Sequence, residues 1–170
     1  MQIAETFAVA APIERVWQFI TDPTAVAPCV PGCQSYEVLG PKTYKATVKI
    51  ALGPIKTTFN VIVDLTAEQP PTFLASTARG EEGGKASTLT AQNELRLAAD
   101  GPSATTVSYT SEVALVGRLG KFGLGIMKKK AKTIGEEFAV AFRARVEAAE
   151  ANRGGTTSEV LSTDVPQAGA

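Results

Sequence analysis

The hydrophobic pattern of this chain changes period once, and that change limits the folds that the chain can adopt. Between residues 44 and 115, apolar side chains alternate with polar ones, as they do on strands with one buried face. From about Leu119 to Ala151 the apolar side chains recur at helical spacing, which predicts one long amphipathic helix. The sheet is the only large surface against which this helix can bury its apolar stripe.

Short connections between the alternating runs predict an antiparallel sheet. Gly53-Pro54 and Pro70-Pro71 end successive runs, and parallel strands would need much longer crossovers. One more strand is predicted over residues 3–10, followed by two short helices over residues 13–20 and 22–28. We therefore expect an α+β fold in which a curved sheet of six or seven strands wraps round the long C-terminal helix.

The length of 170 residues fits one domain followed by a tail. We predict a folded domain over residues 1–150. Residues 151–170 are rich in Gly, Thr, Ser and Ala, so we predict a disordered C-terminal tail there. The N-terminus does not have the pattern of a secretory signal, and no apolar run approaches the roughly 20 residues that cross a bilayer. We expect a cytoplasmic protein.

Histidine is absent from the sequence, and this excludes several kinds of site. Histidine general bases, Ser-His-Asp and Cys-His catalysis, and histidine metal sites all require it. Cys29 and Cys33 are too few for a four-thiolate zinc site, and we interpret them as part of a proline-rich bend. The 17 basic and 17 acidic residues balance, which argues against a surface built for nucleic acid. We expect no metal site, no covalent cofactor and no nucleic-acid partner.

A curved sheet that grips a single helix leaves a gap between the two, and the inward-facing residues predict its lining. Asn93 stands on an otherwise apolar face, where a buried amide needs a partner. That partner is either a backbone group or Tyr109, or a carbonyl of a bound ligand. The predicted ligand-binding residues are Tyr44, Val48, Ile50, Phe59, Val61, Asn93, Leu95, Tyr109, Ser111, Gly123, Leu124, Met127, Ala131 and Ile134.

A basic segment begins the predicted helix. Between Gly117 and Lys132 there are six basic residues and no acidic one. On a helical wheel three large apolar residues fall outside the core stripe, among the lysines, which is the composition of an interfacial membrane segment. The alternatives are a solvated face, or a non-helical first turn packed under the proline-rich bend. The predicted membrane-binding residues are Leu119, Lys121, Phe122, Ile126, Lys128, Lys129 and Lys130.

Four glycines lie within the same segment, at positions 117, 120, 123 and 125. Glycine destabilises a helix by about 1 kcal/mol relative to alanine, so this stretch is predicted to be loose. Two interpretations are open. The glycines form a gate at the mouth of the gap, with Gly123 turned toward the sheet, or they allow the start of the helix to pack closely on the sheet.

Several motifs, taken together, resemble those of one known family. They are Phe7-x-Val9-x-Ala11-Pro12-x-Glu14-x-Val16-Trp17-x-Phe19, Asp22-Pro23, Pro28-Cys29-Val30-Pro31-Gly32-Cys33, Tyr44-Lys45-Ala46-x-Val48, Gly53-Pro54-Ile55-Lys56, Gly117-Arg118-Leu119 and Phe122-Gly123. Over residues 1–148 the chain resembles the CoxG family of carbon monoxide dehydrogenase subunits, within the START-like, or SRPBCC, superfamily. The resemblance implies a helix-grip fold and a START-like ligand-binding domain.

The resemblance also implies partners. The family is associated with molybdenum-dependent carbon monoxide dehydrogenase and related hydroxylases, and with bringing them to the membrane. Because the electrons must reach quinones that are buried in the bilayer, we expect an isoprenoid quinone as ligand. The alanine-rich composition is typical of a GC-rich bacterial genome and favours menaquinone over ubiquinone. The protein would associate peripherally and reversibly with an anionic surface at the inner face of the cell membrane.

Enzymatic function is the principal alternative. The inward faces, as assigned here, hold no carboxylate and no lysine, so we expect no catalytic residue and a carrier rather than an enzyme. A polyketide cyclase or dehydratase has the same fold, and Glu94 or Glu112 inside the cavity would favour that activity. A third possibility is an adaptor that recruits the dehydrogenase and has a filled core, which a cavity volume would distinguish.

Overall fold

The computed structural model describes residues 1–163, with the side chains of Leu124 and of residues 154–163 excepted. The strands and α-helices follow one another in the order predicted. They are β1 (Gln2–Val9), α1 (Ile13–Ile20), α2 (Pro23–Val26), β2 (Cys33–Gly40), β3 (Thr43–Leu52), β4 (Ile55–Gln69), β5 (Phe73–Glu82), β6 (Ser87–Ala99), β7 (Thr105–Gly117) and α3 (Leu124–Thr163). Short 3-10 turns occupy Ala27–Cys29, Gly83–Lys85 and Arg118–Phe122.

The seven strands form one antiparallel sheet in the order β1-β7-β6-β5-β4-β3-β2. Neighbours from β2 to β7 are consecutive in the chain, as the short connections predict. β1 pairs with β7, so the first and last strands lie side by side and β1 and β2 form the two edges. The predicted fold class, a helix-grip arrangement of an antiparallel sheet and one long helix, is confirmed.

The middle of α3 is held on the sheet by aromatic packing. Phe142 is fully buried, and its ring meets that of Phe7 on β1 edge to face, with 6.3 Å between the centroids. Phe138, one turn earlier, stacks on Phe142. Fully burying a side chain of this size contributes about 1.5–3 kcal/mol. These contacts fix the helix at the β1 side of the sheet, while the helix half before Phe138 lies over the central strands.

The long helix differs from the prediction at both ends. It begins at Leu124 rather than at Leu119, because a glycine with non-helical backbone angles stands on each side of the 3-10 turn. Gly117 has φ of +106° and Gly123 has φ of +85°, which L side chains rarely adopt. At the other end the helix continues to Thr163, so the first part of the predicted tail is helical. Residues 164–170 of that tail lie outside the described residues.

Candidate functional site

An apolar cavity of about 460 Å³ lies between the helix-facing side of the sheet, α3 and the segment that runs from α1 to the proline-rich bend. Native cores rarely leave gaps of this size, whereas ligand pockets of about 300–1,000 Å³ are common. Most of the lining is aliphatic or aromatic, including Met1, Ile3, Ile20, Val26, Val30, Ile50, Leu52, Val63, Leu65, Leu74, Leu89, Leu95, Val113, Leu115, Met127, Ile134 and Phe138.

The alternation of the strands explains which residues reach this space. Successive side chains of a strand point to opposite faces, so every second residue of the central strands faces α3. The structure places many of the predicted residues on the wall, namely Tyr44, Ile50, Asn93, Leu95, Tyr109, Ser111, Met127, Ala131 and Ile134. Whether they contact a ligand stays a prediction.

Other predicted residues lie away from the wall. Phe59 is 1% exposed and, with Val61, belongs to a separate cluster around Leu52 and Leu119. These side chains face inward as predicted, but the turn before α3 covers them and removes them from the cavity. Val48 is partly buried and is not part of the lining.

Contrary to the gate interpretation, Gly123 is not turned toward the sheet. A Cβ added at Gly123 would meet no described atom within 4 Å, and the residue is exposed, so it does not face the sheet. Its positive φ explains why glycine stands there. Nearby, a Cβ at Gly120 would lie 2.9 Å from the carbonyl oxygen of Leu115. Gly120 thus packs closely on the sheet, as the alternative interpretation predicts. The side chain of Leu124 lies outside the described residues.

A chain of three polar side chains crosses the cavity wall. Ser76, Asn93 and Ser111 stand directly opposite one another on β5, β6 and β7. Ser111 Oγ donates to Asn93 Oδ1 at 2.6 Å, and Asn93 Nδ2 donates to Ser76 Oγ at 3.2 Å. Asn93 is therefore satisfied by two serine side chains rather than by the backbone or by Tyr109. Ser76 Oγ accepts from Asn93 and Ser76 lines the cavity, so its hydroxyl hydrogen is available to an acceptor there.

Tyr109 supplies a second hydroxyl, held against α3. A Cβ added at Gly135 would lie 2.4 Å from the Tyr109 hydroxyl oxygen and 3.2 Å from Glu5 Cγ. Glycine at position 135 thus lets the phenol pass beside the helix backbone. Burial, with a smaller contribution from the Glu5 charge, raises the pKa of Tyr109 to about 12. The phenol is therefore a protonated hydrogen-bond donor at every physiological pH.

Charged groups near the cavity differ from the prediction. Glu5 lies on the inner face of β1 beside Tyr109, and Lys130 contributes to the lining, although neither was expected to face inward. Glu94 also borders the cavity, but its side chain is 56% exposed and lies 3.6 Å from Arg96, on the outer face of β6. Glu112 is exposed and meets the N-terminal amine at 3.4 Å. Neither of the two carboxylates weighed for catalysis projects into the cavity.

The basic segment before α3 is anchored by a buried carboxylate. Glu82 is 2% exposed; it accepts hydrogen bonds from Arg118 Nε at 2.9 Å and from Thr57 Oγ1 at 2.7 Å, and Arg118 Nη2 donates to it as well. The Arg118 hydrogen bond is the main reason that the pKa of Glu82 falls to about 2, against an opposing effect of burial. Ser87 Oγ also accepts from the backbone N–H of Leu119, at 3.0 Å.

This anchoring corrects the predicted membrane segment. Leu119 is 1% exposed, and Phe122 packs against the same cluster, so both point into the protein. The prediction placed them outward because it extended a regular α-helix through a 3-10 turn. They pack on the sheet, not under the proline-rich bend of the alternative interpretation. Ile126 is 51% exposed, and Lys121, Lys128 and Lys129 are exposed, so these residues remain available to a surface.

The two cysteines have local partners. Cys29 is buried and its thiol donates to the Ala25 carbonyl at 3.3 Å, while the Cys33 thiol lies 3.6 Å from the Ser35 carbonyl oxygen. Burial raises the pKa of both thiols. The bend itself is fastened by Gly32, whose carbonyl accepts from the Lys49 N–H at 2.8 Å. The cysteines thus sit in a structural bend that forms one side of the cavity roof.

Sequence reasoning missed several wall residues. Ser76 alternates with Leu74 and Ala78 on β5, so the period of two identifies its face, but β5 was not assigned inward residues. Gly135 has no side chain to signal a role. The roof from Ile20 to Pro31 was not recognisable, because its contribution depends on how the short helices lie across the sheet end.

Comparisons with known proteins agree with this architecture. The family model for CoxG, described as a carbon monoxide dehydrogenase subunit, matches residues 6–147. The chain belongs to the CoxG family. The family's description associates it with carbon monoxide dehydrogenase. A comparison with curated protein sequences gives no match.

Solved structures show how the fold of this CoxG-family chain is shared. A conserved protein from Geobacillus kaustophilus superposes with a TM-score of 0.81 at 22% identity, over 88% of this chain and 97% of that one. A START superfamily protein from Mycobacterium smegmatis gives 0.70 at 17% identity, over 87% and 98%. The Zhui aromatase/cyclase from Streptomyces sp. R1128 gives 0.58 at 20% identity, over 90% and 94%. At these identities the likeness shows the fold alone. Within residues 1–163 no helix is long and apolar enough to cross a membrane.

Proposed function

We propose that this CoxG-family chain is a non-catalytic carrier that binds an isoprenoid quinone, with menaquinone favoured, and links a molybdenum carbon monoxide dehydrogenase to the membrane quinone pool. The observation that carries this proposal is the cavity. It is a large apolar space with a short row of hydrogen-bond donors on one wall. This combination suits a ligand with a long hydrocarbon part and a small polar head.

The hydrocarbon part of the ligand would lie among the aliphatic side chains. Moving a CH₂ group from water into the cavity contributes about 0.8 kcal/mol, and moving it from water into a bilayer contributes a similar free energy. Extraction from a membrane is therefore favourable only if several isoprene units enter the cavity together. The lining from Leu52 and Leu115 through Ile50 to Leu65 and Phe138 offers a continuous apolar wall for them.

The quinone carbonyls would accept from hydroxyl donors on this wall. Ser76 Oγ and the Tyr109 hydroxyl are free to donate, since no described side chain or carbonyl accepts from them. A neutral donor suits a neutral carbonyl, and the raised pKa of Tyr109 keeps the phenol in that form. Tyr44, whose pKa is also raised by burial, offers a third hydroxyl on the same cavity.

Membrane approach would use the exposed part of the basic segment. Lys121, Lys128 and Lys129 are exposed together with Ile126. Each basic residue near an anionic surface contributes about 1 kcal/mol, which gives reversible binding that salt weakens. The protein would then act from the cytoplasm at the inner face of the cell membrane.

The cavity volume and the orientation of the acids favour a carrier over the two alternatives. An adaptor without a ligand would need no space of about 460 Å³. A cyclase-like enzyme needs a titratable group aimed at the substrate. Glu94 and Glu112 point outward, and Glu5, although it lies on the inner face of β1, is not part of the cavity lining. Lys130 lines the cavity, but no described carboxylate pairs with it as an acid–base partner. The family's description as a subunit supports a role beside an enzyme.

The proposal is tested by blocking the cavity from the helix side. Ala131 lies on the cavity wall, whereas Ala144 is exposed on the same helix, so Ala131→Phe and Ala144→Phe form a matched pair. Each protein is incubated with menaquinone-loaded vesicles, separated by flotation and extracted for mass spectrometry. We expect menaquinone with the parent and with Ala144→Phe, and little with Ala131→Phe. Equal menaquinone in the two variants, or none in the parent, would overturn the proposal.

A further inference from the structure

A second, smaller recess of about 330 Å³ adjoins the cavity. It lies between the end of β3, the proline-rich bend and α3. Pro31, Ile50, Lys130 and Ile134 border both spaces, so the recess and one end of the cavity share a boundary.

Three lysines and one acid line this recess. Lys49 is on β3, Lys56 is on β4 just after the Gly53-Pro54 turn, and Lys130 is on α3. In the described part of the chain no carboxylate lies within 4.0 Å of any of the three ammonium groups. The acid is Glu137, which is exposed on α3. The excess of positive charge is therefore not neutralised by the protein.

The backbone around the recess is fixed by close contacts. A Cβ added at Gly32 would lie 2.1 Å from the Lys49 carbonyl oxygen, and Gly32 has φ of +80°. β2 pairs with β3 only as far as Val48, opposite Cys33. Lys49 N–H donates to the Gly32 carbonyl, and beyond Lys49 no described strand pairs with this edge of β3, where the recess lies. The lysines are thus carried on three separate elements that meet at one rim.

The lining is amphiphilic. Ile50, Ala51 and Ile134 line the recess together with the three lysines, so the lining combines aliphatic and cationic residues. A free phosphate ion would favour a site of converging backbone N–H groups or arginines. Cations beside aliphatic surface instead match a phosphate joined to acyl chains. The chemistry of the recess therefore favours a phospholipid over a soluble anion.

We infer that this recess binds the phosphate of an anionic phospholipid head group, so that the adjoining end of the cavity faces the bilayer when the protein docks. The inference deepens the proposed function, on which it rests for the exchange of ligand with the membrane. The site itself rests on Lys49, Lys56 and Lys130 alone. Docking through this recess would place that end of the cavity at the membrane.

The test compares two pairs of lysines on the same hairpin region. Lys49→Gln/Lys56→Gln removes two charges of the recess, while Lys42→Gln/Lys45→Gln removes two exposed charges near the opposite end of β3. Binding is measured by co-sedimentation with phosphatidylcholine vesicles that contain or lack phosphatidylglycerol. From about 1 kcal/mol per lysine, we expect the recess pair to weaken binding to the anionic vesicles about tenfold or more. The control pair should change it less than about twofold.

Three results would overturn the inference. The first is an equal loss of vesicle binding in both lysine pairs, which would indicate diffuse attraction. The second is unchanged vesicle binding in the recess pair. The third is calorimetric binding of inorganic phosphate that depends on Lys49 and Lys56 while vesicle binding does not, which would identify a soluble anion as the ligand. The menaquinone content of each purified variant is measured separately, so an absent quinone counts against the proposed function and not against the recess.

Discussion

Ser111 donates a 2.6 Å hydrogen bond to the side-chain carbonyl of Asn93, and this bond orients the amide of Asn93 toward Ser76. The three residues form one row across β5, β6 and β7. Each residue donates to the next, so the last one, Ser76, keeps a hydroxyl hydrogen that it can donate. In an apolar cavity such a donor favours a ligand whose hydrogen-bond acceptor lies beside Ser76. The partly buried amide of Asn93 therefore positions the Ser76 hydroxyl as a hydrogen-bond donor.

Replacing Ser76 by alanine should weaken ligand binding. A neutral hydrogen bond contributes about 0.5–1.5 kcal/mol, so we expect affinity for menaquinone to fall about twofold to tenfold. Quinone titration in detergent, followed by the quenching of Trp17 fluorescence, measures this. Ser108→Ala is the control, since Ser108 lies on the outer face, where its hydroxyl accepts from Thr6. An unchanged affinity in Ser76→Ala would mean that the head group does not lie at this row.

Gly135→Ala should displace Tyr109 without destabilising the protein. The added methyl would lie 2.4 Å from the Tyr109 hydroxyl, so the phenol, which lines the cavity, must shift. Alanine is favoured over glycine in a helix by about 1 kcal/mol, which offsets the strain in the folded state. We expect a similar melting temperature and a reduced quinone content. Gly125→Ala is the matched control, because a Cβ there meets no described atom within 4 Å. Equal quinone content in the two variants would contradict this role.

Glu82→Gln should destabilise the protein in a pH-dependent way. The Arg118 hydrogen bond lowers the folded pKa of Glu82 from 4.5 to about 2, so its stabilisation is complete above pH 4.5 and is lost as the pH falls toward 2. At pH 7 a hydrogen bond to a charged group contributes about 1.5–3 kcal/mol to the free energy of unfolding.

Urea unfolding at several pH values measures this difference between the parent and Glu82→Gln. We expect the two free energies to converge between pH 4.5 and pH 2. Glu81→Gln removes an exposed carboxylate one residue earlier and should leave the stability near that of the parent. A constant difference across this pH range would show that Glu82 stabilises the fold by packing and not by charge.

Leu119 and Ile126 should respond in opposite ways, although both were predicted to meet the membrane. Leu119→Ala removes a side chain that is 1% exposed, and we expect a loss of about 2–5 kcal/mol in the free energy of unfolding. Ile126→Ser changes a side chain that is 51% exposed and should leave stability unchanged but weaken vesicle binding. Chemical unfolding and co-sedimentation separate the two effects. A stable Leu119→Ala protein with weakened vesicle binding would restore the original prediction.

The fold could be predicted because its two periodicities are strong and do not overlap. Alternation from Tyr44 onward identified the strands, and helical spacing around Phe138 and Phe142 identified the long helix. The cavity wall followed from the same alternation. The period of two does not predict the register between strands. That register places Ser76 opposite Asn93, where it accepts a hydrogen bond from the Asn93 amide.

The outward or inward direction of Leu119 and Phe122 could not be predicted for a different reason. Their position on a wheel depends on the phase of the helix, and the glycines at 117 and 123 replace its first turns by a 3-10 turn. A shift of phase by a few residues exchanges the buried and exposed faces. The buried Glu82 and its partner Arg118, which fix that turn, are 36 residues apart in the chain, and no local pattern connects them.

The central claim is that the cavity holds an isoprenoid quinone, and mass spectrometry of an organic extract of the purified protein tests it most directly. We predict recovery of an isoprenoid quinone, menaquinone in the favoured case, with the parent protein and its loss from Ala131→Phe. Recovery of only phospholipid or fatty acid, with no quinone bound even after incubation with quinone-loaded vesicles, would contradict the claim.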